Sequence, residues 1–308
     1  GLELLGEVPF RDVIIHSTVL ARDGRRMSKS LGTGIDPLDL IAAHGADATR
    51  YGLLKMSSTQ DVRFSDGMIE EGRKLANKLW NVSRLLLANT AGVAPEARPR
   101  DVEERWILAR LGGTRAEVEQ LVAAFDFAHA VSALYRLTFD DFCDWYAEAI
   151  KPRLYEDDAD AAATALAALE RLLKLLHPVM PHVTEEIWSQ FHDSRLIVAP
   201  WPEPDPDDAE ALGALERVQD AASIFRRSGV LVELEGDDRR LFDAVVKPDR
   251  VKANDNVGVE CERLRKEVAR AERMLANDAF LSNAPDEVVE AERGKLARYR
   301  RELDALGC

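Results

Sequence analysis

Cysteine is scarce in the 308 residues: Cys143, Cys261 and Cys308 stand far apart and form no CxxC pair. Such spacing excludes a disulfide framework and a recognisable zinc site, so the three read as two packing residues and one terminal thiol. No apolar run approaches the roughly eighteen residues that a membrane-spanning helix requires. The start of the chain shows neither a charged segment followed by an apolar stretch nor a small-residue cleavage site. The expectation is a cytoplasmic protein with no membrane partner. A positive charge balance is missing too. The formal net charge of -14 argues against indiscriminate binding to nucleic acid, because phosphates are held by clustered lysine and arginine. A local basic face remains compatible with it. What is present suits a globular chain: 46% hydrophobic residues and a length sufficient for two domains.

Residues 8 to 20 include the β-branched run Val13-Ile14-Ile15, the pattern of a strand buried in a parallel sheet. A lone parallel strand is not stable, so its neighbours are expected to precede Gly1 and the chain reads as a fragment. Arg22-Asp23-Gly24 supplies a turn, and the basic string Arg26-Met27-Ser28-Lys29-Ser30 follows on a loop with Gly32 and Gly34 on its far side. Asp36-Pro37 opens a short helix that Gly45 ends; another begins near Asp47, and Asp61-Val62-Arg63-Phe64 reads as extended.

Beyond Gly67 the period changes to that of long amphipathic helices, expected over 67–90, 101–124, 126–150, 159–177 and 181–192, with proline-rich breaks at 94–99 and 200–206. Residues 228–256 read as a polar linker containing one strand at 230–234. In the last segment Val257, Cys261, Leu264, Val268, Ala271 and Leu275 alternate steps of four and three. Val289, Glu292, Leu296, Tyr299, Leu303 and Leu306 do the same, with one polar member. The turn-rich stretch 277–285 between them predicts two helices folded back as an antiparallel hairpin.

A basic loop after a strand can hold phosphate, and Lys29 between two serine hydroxyls is a suitable point charge for a triphosphate. An isolated Lys-Ser pair reads as a solvated turn; the longer string carries more. Arg26-Met27-Ser28-Lys29-Ser30-Leu31-Gly32, then Ile35-Asp36-Pro37, then Gly45-Ala46-Asp47 and Tyr51, resembles the second signature of the class I aminoacyl-tRNA synthetases. That family most often writes KMSKS, so Arg26 departs from it while keeping the charge. The resemblance implies a mobile ATP-binding loop formed by Arg26, Met27, Ser28, Lys29 and Ser30. In it Lys29 is the catalytic cation and Arg26 assists as pyrophosphate departs. The half-copy Lys55-Met56-Ser57-Ser58 reads as coincidence, with Met56 in the core.

Asn77-Lys78-Leu79-Trp80-Asn81, residues 141–146 (Asp-Phe-Cys-Asp-Trp-Tyr) and residues 176–188 around His177-Pro178 and Pro181-His182 resemble the helical anticodon-binding domain of the valyl, isoleucyl and leucyl members. Trp80, Trp145 and Trp188 read as buried anchors, and Glu185 and Glu186 as first-turn acids. The terminal hairpin, with Asn283-Ala284-Pro285 leading into its second helix, resembles the tRNA-contacting arm of the valyl members. Its arginines and lysines read either as a salt-bridge-laced solvated pair or as a basic stripe for tRNA, with Arg263, Lys266, Arg270, Arg273 and Arg298 as candidates. The segment available between bundle and hairpin is shorter than is usual in that group.

The expected architecture is mainly α. It comprises the end of a Rossmann-type catalytic domain at 1–65, an anticodon-binding bundle at 66–227, a linker at 228–256 and an antiparallel coiled-coil arm at 257–308. The implied parent reaction uses ATP with magnesium, valine and tRNA(Val), on a monomer, with no metal held by this portion. Neither a HIGH-type ATP signature nor an amino-acid pocket nor an editing domain is legible, so the chain alone is expected to be inactive. The alternatives are a fragment of an isoleucyl or leucyl member, or a stand-alone tRNA-binding module without catalysis.

Overall fold

The computed structural model describes residues 2–28, 30–57, 60–248 and 257–308, apart from the side chains of 278, 279, 283, 286 and 287. Lys29 and residues 249–256 of the expected linker lie outside the described residues. The fold is mainly α, with 68% of residues helical, and it divides into two units, 1–208 and 209–308.

In the first unit a short helix α1 (Leu2–Leu5) precedes β1 (Val19–Leu20), which pairs in parallel with β2 (Val62–Arg63). The strand expected at 13–15 is not formed: Val13 and Ile15 are 77% and 89% exposed. An apolar run of this kind needs sheet on both sides, and among the described residues the only ladder is the two-residue one further along. Helix α2 (Pro37–His44) starts as its sequence dictates, with the Asp36 carboxylate accepting the Leu38 N–H at 2.8 Å and Pro37 in the first turn. Gly45, at φ +91°, separates it from α3 (Ala46–Lys55). Helix α3 lies close against α4 (Asp66–Ala88) because two glycines leave room. A Cβ on Gly52 would stand 3.0 Å from the Ile69 backbone nitrogen, and one on Gly72 would stand 2.8 Å from the Tyr51 ring. Met56 is buried beside Leu40, Ala48, Phe64 and Ile69, as a core residue should be.

The bundle continues with α5 (Val102–Ala123) and with one unbroken helix made of α6 (Phe127–Tyr135), a π-helical stretch Arg136–Tyr146 and α7 (Ala147–Tyr155). Next come α8 (Ala159–Leu176) and α9 (Pro181–Trp188). Helix α8 is the central rod, buried along most of its length. Alanine dominates its first half, which favours helix and lets neighbours approach closely. At the joint of α5, α7 and α8 the Arg153 guanidinium lies 3.0 Å from Glu104, 3.0 Å from Asp101 and 2.8 Å from Asp158. Glu104 is fully buried and also accepts the N–H groups of Arg100 and Asp101.

The second unit contains α10 (Ala209–Ser228), α11 (Gly236–Val246), α12 (Val257–Leu275), the short α13 (Asp278–Asn283) and α14 (Asp286–Leu306). The strand expected at 230–234 is not found. The expected linker instead holds α11, whose Leu241, Phe242 and Val246 are buried. Phe242 meets Phe225 of α10 edge-on at 5.9 Å. Two features mark this helix in the sequence: acids in its first turn, Asp237 and Asp238, and apolar residues at a four-residue step, Phe242 and Val246. Helices α12 and α14 form the expected antiparallel hairpin. Arg265 reaches the Cys308 carbonyl, Arg300 reaches Glu272 and Arg270 reaches Glu292. The seam is the one the heptads predict, with Cys261, Leu264, Ala271, Val289 and the polar Glu292 all buried.

The reading of the cysteines is corrected. Cys261 and Cys308 form a disulfide, with Cα atoms 6.2 Å apart. A sequence separation of 47 hides the pair, but folding back at 276–285 returns the end of α14 to the start of α12. Cys143 is free and buried, and that burial pushes its thiol up to about 12. Unreduced protein should therefore show a single thiol to a chromogenic disulfide reagent once denatured, and three after reduction. Three thiols without reductant would contradict the pairing.

Candidate functional site

Directly after β1 the chain turns tightly, the Ala21 N–H bonding the Arg25 carbonyl and the Gly24 N–H the Ala21 carbonyl, both at 2.8 Å. Gly24 stands at φ +85° with the Arg63 guanidinium laid over it, so a Cβ there would be 2.8 Å from Arg63 Nε. The positive φ is what favours glycine there, since the flexible guanidinium could move aside from a Cβ. Of the three arginines that follow β1, two are tied down. Arg22 makes a two-pronged pair with Asp66, both contacts at 2.6 Å, and holds that carboxyl below its ordinary range. Arg25 bonds Asp23 at 2.8 Å. Arg26 is exposed and has no carboxylate partner among the described residues.

Met27 is half-buried against the Leu40, Ala48, Met56, Phe64 and Ile69 cluster, and Ile35 packs on the same cluster. The loop between them is thus anchored at both ends by apolar side chains. Thr33 latches it: the Ser28 N–H donates to Thr33 Oγ1 at 2.9 Å, and the Thr33 N–H donates to the Ser28 carbonyl at 3.1 Å. Ser28 and Ser30 hydroxyls lie 2.9 Å apart, and Gly32 takes φ +63°. Of the loop residues named from the sequence, the structure therefore brings Ser28 and Ser30 together, leaves Arg26 exposed at the loop's start, turns Met27 inward as its anchor, and leaves Lys29 outside the described residues. Serine hydroxyls and an unpaired guanidinium are groups that phosphate oxygens accept from. Between α3 and α4, burial and then Glu71 push the Tyr51 phenol up, and Lys55 bonds that phenol at 3.2 Å. The half-copied motif at Lys55 is accordingly part of a structural network.

In the bundle Trp188 is buried at 3% exposure, whereas Trp80 and Trp145 are half-buried. Glu185 and Glu186 are not first-turn acids, because α9 begins at Pro181. Glu185 instead accepts the Leu196 N–H at 3.1 Å. His177 Nδ1 shares a hydrogen bond of 2.8 Å with Thr184, and burial holds its pKa below the usual histidine range. One surface that sequence reading missed is a groove of about 670 Å³ where Trp80, Asn81 and Arg84 of α4 meet Ile187 and Gln190. Arg84 is exposed and has no carboxylate partner among the described residues. The available signal was the four-residue step from Trp80 to Arg84, which sets both on one helix face.

The arm's cations are mostly paired. Arg263 bonds Glu260 at 2.6 Å, Lys266 lies 2.7 Å from Glu262, Arg270 is 3.0 Å from Glu267, and Arg298 is 3.6 Å from Glu302. Arg273 donates to the Ala269 carbonyl at 3.0 Å. The salt-bridge-laced reading therefore describes the arm as folded; the Lys266–Glu262 pair is exposed on both sides and, being worth little, can be exchanged for phosphate, whereas Glu260 and Glu302 are buried beneath Arg263 and Arg298. Sequence reading also missed Arg227 of α10, which lies 2.6 Å from Glu260 and 2.5 Å from Glu302 and ties the arm's base to α10.

Three family models match the chain in order. They are described as tRNA synthetases class I (I, L, M and V) over residues 1–65, the anticodon-binding domain of tRNA ligase over 104–230, and the valyl tRNA synthetase tRNA binding arm over 259–307. Among curated relatives, valine--tRNA ligases of Carboxydothermus hydrogenoformans, Geobacillus stearothermophilus and Deinococcus radiodurans are 33%, 35% and 30% identical across 99% of the chain. The chain spans 42% of the length of each. A solved leucyl enzyme of Agrobacterium radiobacter K84, in a ternary complex with tRNA and LeuAMS, superposes with TM-score 0.51 at 26% identity over 64% of this chain and 24% of its own. The chain thus belongs to the valyl branch of the class I aminoacyl-tRNA synthetases and corresponds to the C-terminal part of its members.

Proposed function

We propose that this chain supplies the phosphate-stabilising loop and the tRNA-contacting modules of an enzyme that activates valine with ATP and transfers it to tRNA(Val). In the first half-reaction the valine carboxylate attacks the α-phosphorus of ATP, and the bond to pyrophosphate breaks. Negative charge grows on the departing oxygens, and cations already in place stabilise it without the reorganisation that water would need. Lys29 takes that role, Arg26 assists from the edge of the loop, and the Ser28 and Ser30 hydroxyls donate to phosphate oxygens. Magnesium enters as part of the ATP substrate complex. In the second half-reaction the terminal ribose hydroxyl of the tRNA attacks the adenylate carbonyl, and AMP leaves.

Residues 1–65 end the catalytic domain, 66–227 form the anticodon-binding bundle, and 257–308 form the arm along the tRNA backbone, joined through 228–256. Arg263, Lys266, Arg270, Arg273 and Arg298 are the arm cations that meet the tRNA's phosphates, Lys266 giving up its exposed pair with Glu262 most readily, and the Trp80–Arg84 groove offers an aromatic face beside a cation for a nucleotide base. The working enzyme is a cytoplasmic monomer. The observation that carries this reading is the latched loop with Arg26 clear of any carboxylate among the described residues, held on the same compact unit as helices α4 to α9.

The test is equilibrium binding of a tRNA(Val) transcript to the 308-residue chain across a salt series. Binding should weaken with a negative log–log slope of about 0.9 per phosphate engaged, and Lys266→Ala should lower that slope by roughly one contact, whereas Arg84→Ala should weaken binding with little change of slope. The chain alone should give no valine-dependent pyrophosphate exchange. Absence of tRNA binding at low salt, or exchange by the isolated chain, would contradict the proposal.

A further inference from the structure

The corner between α8 and α9 is not completed by its own residues. Met180 stands at the N-cap of α9, where its side chain makes no capping bond. The open N–H groups are met from elsewhere: the Asp47 carboxylate, at the start of α3 and 7% exposed, accepts the His182 N–H at 3.1 Å and the Val183 N–H at 2.6 Å. One turn along α3, Arg50 donates to the Pro178 carbonyl at 2.9 Å and to the Val179 carbonyl at 3.2 Å. Two side chains thus satisfy four backbone groups that lie 128 to 136 residues later in the sequence. A buried carboxylate at a helix N-terminus is also favoured by the helix dipole, and its removal strands the N–H groups it served.

The same turn of α3 faces the loop as well. Ala48, 2% exposed and adjacent to Asp47, belongs to the cluster on which Met27 and Ile35 anchor the two ends of the 28–33 loop. The α8–α9 corner and the loop's two apolar anchors therefore rest on the same turn of α3. We infer that Asp47 and Arg50 are positioning residues that couple occupancy of the bundle by tRNA to the conformation of the ATP loop. The coupling rests on the function proposed above. By linkage it runs both ways, so that loop closure on phosphates also tightens the hold on tRNA.

Hydrogen exchange of the 308-residue chain, with and without tRNA(Val) transcript, tests it. In the wild-type chain tRNA should slow exchange of the amides at 26–33 at least about fivefold, the lower end of ordinary allosteric coupling. Asp47→Asn and Arg50→Gln should each bring that protection below about twofold while tRNA affinity stays within about twofold. Arg50→Lys, which keeps a cationic donor but not the fork that reaches both carbonyls, should restore part of it. If Asp47→Asn does not fold, the exposed Arg50 carries the test. A merely structural role would lower affinity and protection together. Tight tRNA binding with an unresponsive loop in the wild type, or full protection retained in both variants, overturns the coupling but leaves the proposed function standing. No tRNA binding by the wild-type chain overturns both.

Discussion

Replacing Lys29 with alanine in a complete enzyme that carries this chain is expected to slow adenylate formation by about 10²–10³-fold, the ordinary cost of losing one preorganised group that stabilises transition-state charge. The reason is differential binding. The ammonium meets little extra negative charge in ground-state ATP but a growing one as the bond to pyrophosphate breaks, so the loss should appear in the rate of the chemical step more than in ATP affinity. Affinity for tRNA should change by less than about twofold, because the proposed tRNA contacts lie elsewhere on the chain. Arg26→Ala should show the same pattern at smaller amplitude, since Arg26 sits at the loop's edge and Ser28 and Ser30 remain. Single-turnover adenylate formation and tRNA binding, measured on the same preparation, check this. Equal loss of both would mark misfolding rather than a catalytic role.

The largest expected effect on stability lies far from the loop, at Arg153. Its guanidinium bridges the N-terminus of α5, the end of α7 and the N-terminus of α8, with Glu104 completely buried beneath it. Arg153→Met removes the cation and leaves that carboxylate in a dry site with no opposing charge. Breaking a buried pair in this way costs about 3–5 kcal/mol. For a unit of this size the melting temperature should fall by on the order of 10 °C. Adding Glu104→Gln to the same chain should recover part of the loss, because the stranded charge is then gone. Thermal melts followed by circular dichroism give both numbers, and a fall of less than about 2 °C would show the cluster to be dispensable.

The legible parts of the fold are those written in local pattern. Helices α4, α5, α8 and α9 and the arm's seam follow from three- and four-residue steps, caps and prolines, including Asp36 at the start of α2 and the buried polar Glu292 in the hairpin. What was not legible depends on residues far apart in sequence. The run at 13–15 has the composition of a central strand, but a strand is made by its neighbours, and the ladder forms at Val19 and Leu20 instead. Cys261 and Cys308 meet only because the hairpin closes. Residues 230–234, Val-Leu-Val-Glu-Leu, have a strand's composition, yet the order in that segment comes from α11 packing Phe242 on Phe225. For the site, the motif named the loop, while its Thr33 latch and the grip of Asp47 and Arg50 on the α8–α9 corner are tertiary facts. The charged arm looked ambiguous because composition does not say which cation faces which acid.

Amino-acid identity is tested most directly by tRNA charging with a complete enzyme that carries this chain, with valine, isoleucine and leucine offered separately. The expected result is valine attached to tRNA(Val), abolished or slowed at least about a hundredfold by Lys29→Ala. Charging of isoleucine or leucine onto their own tRNAs, or charging of valine that is indifferent to Lys29, would contradict it.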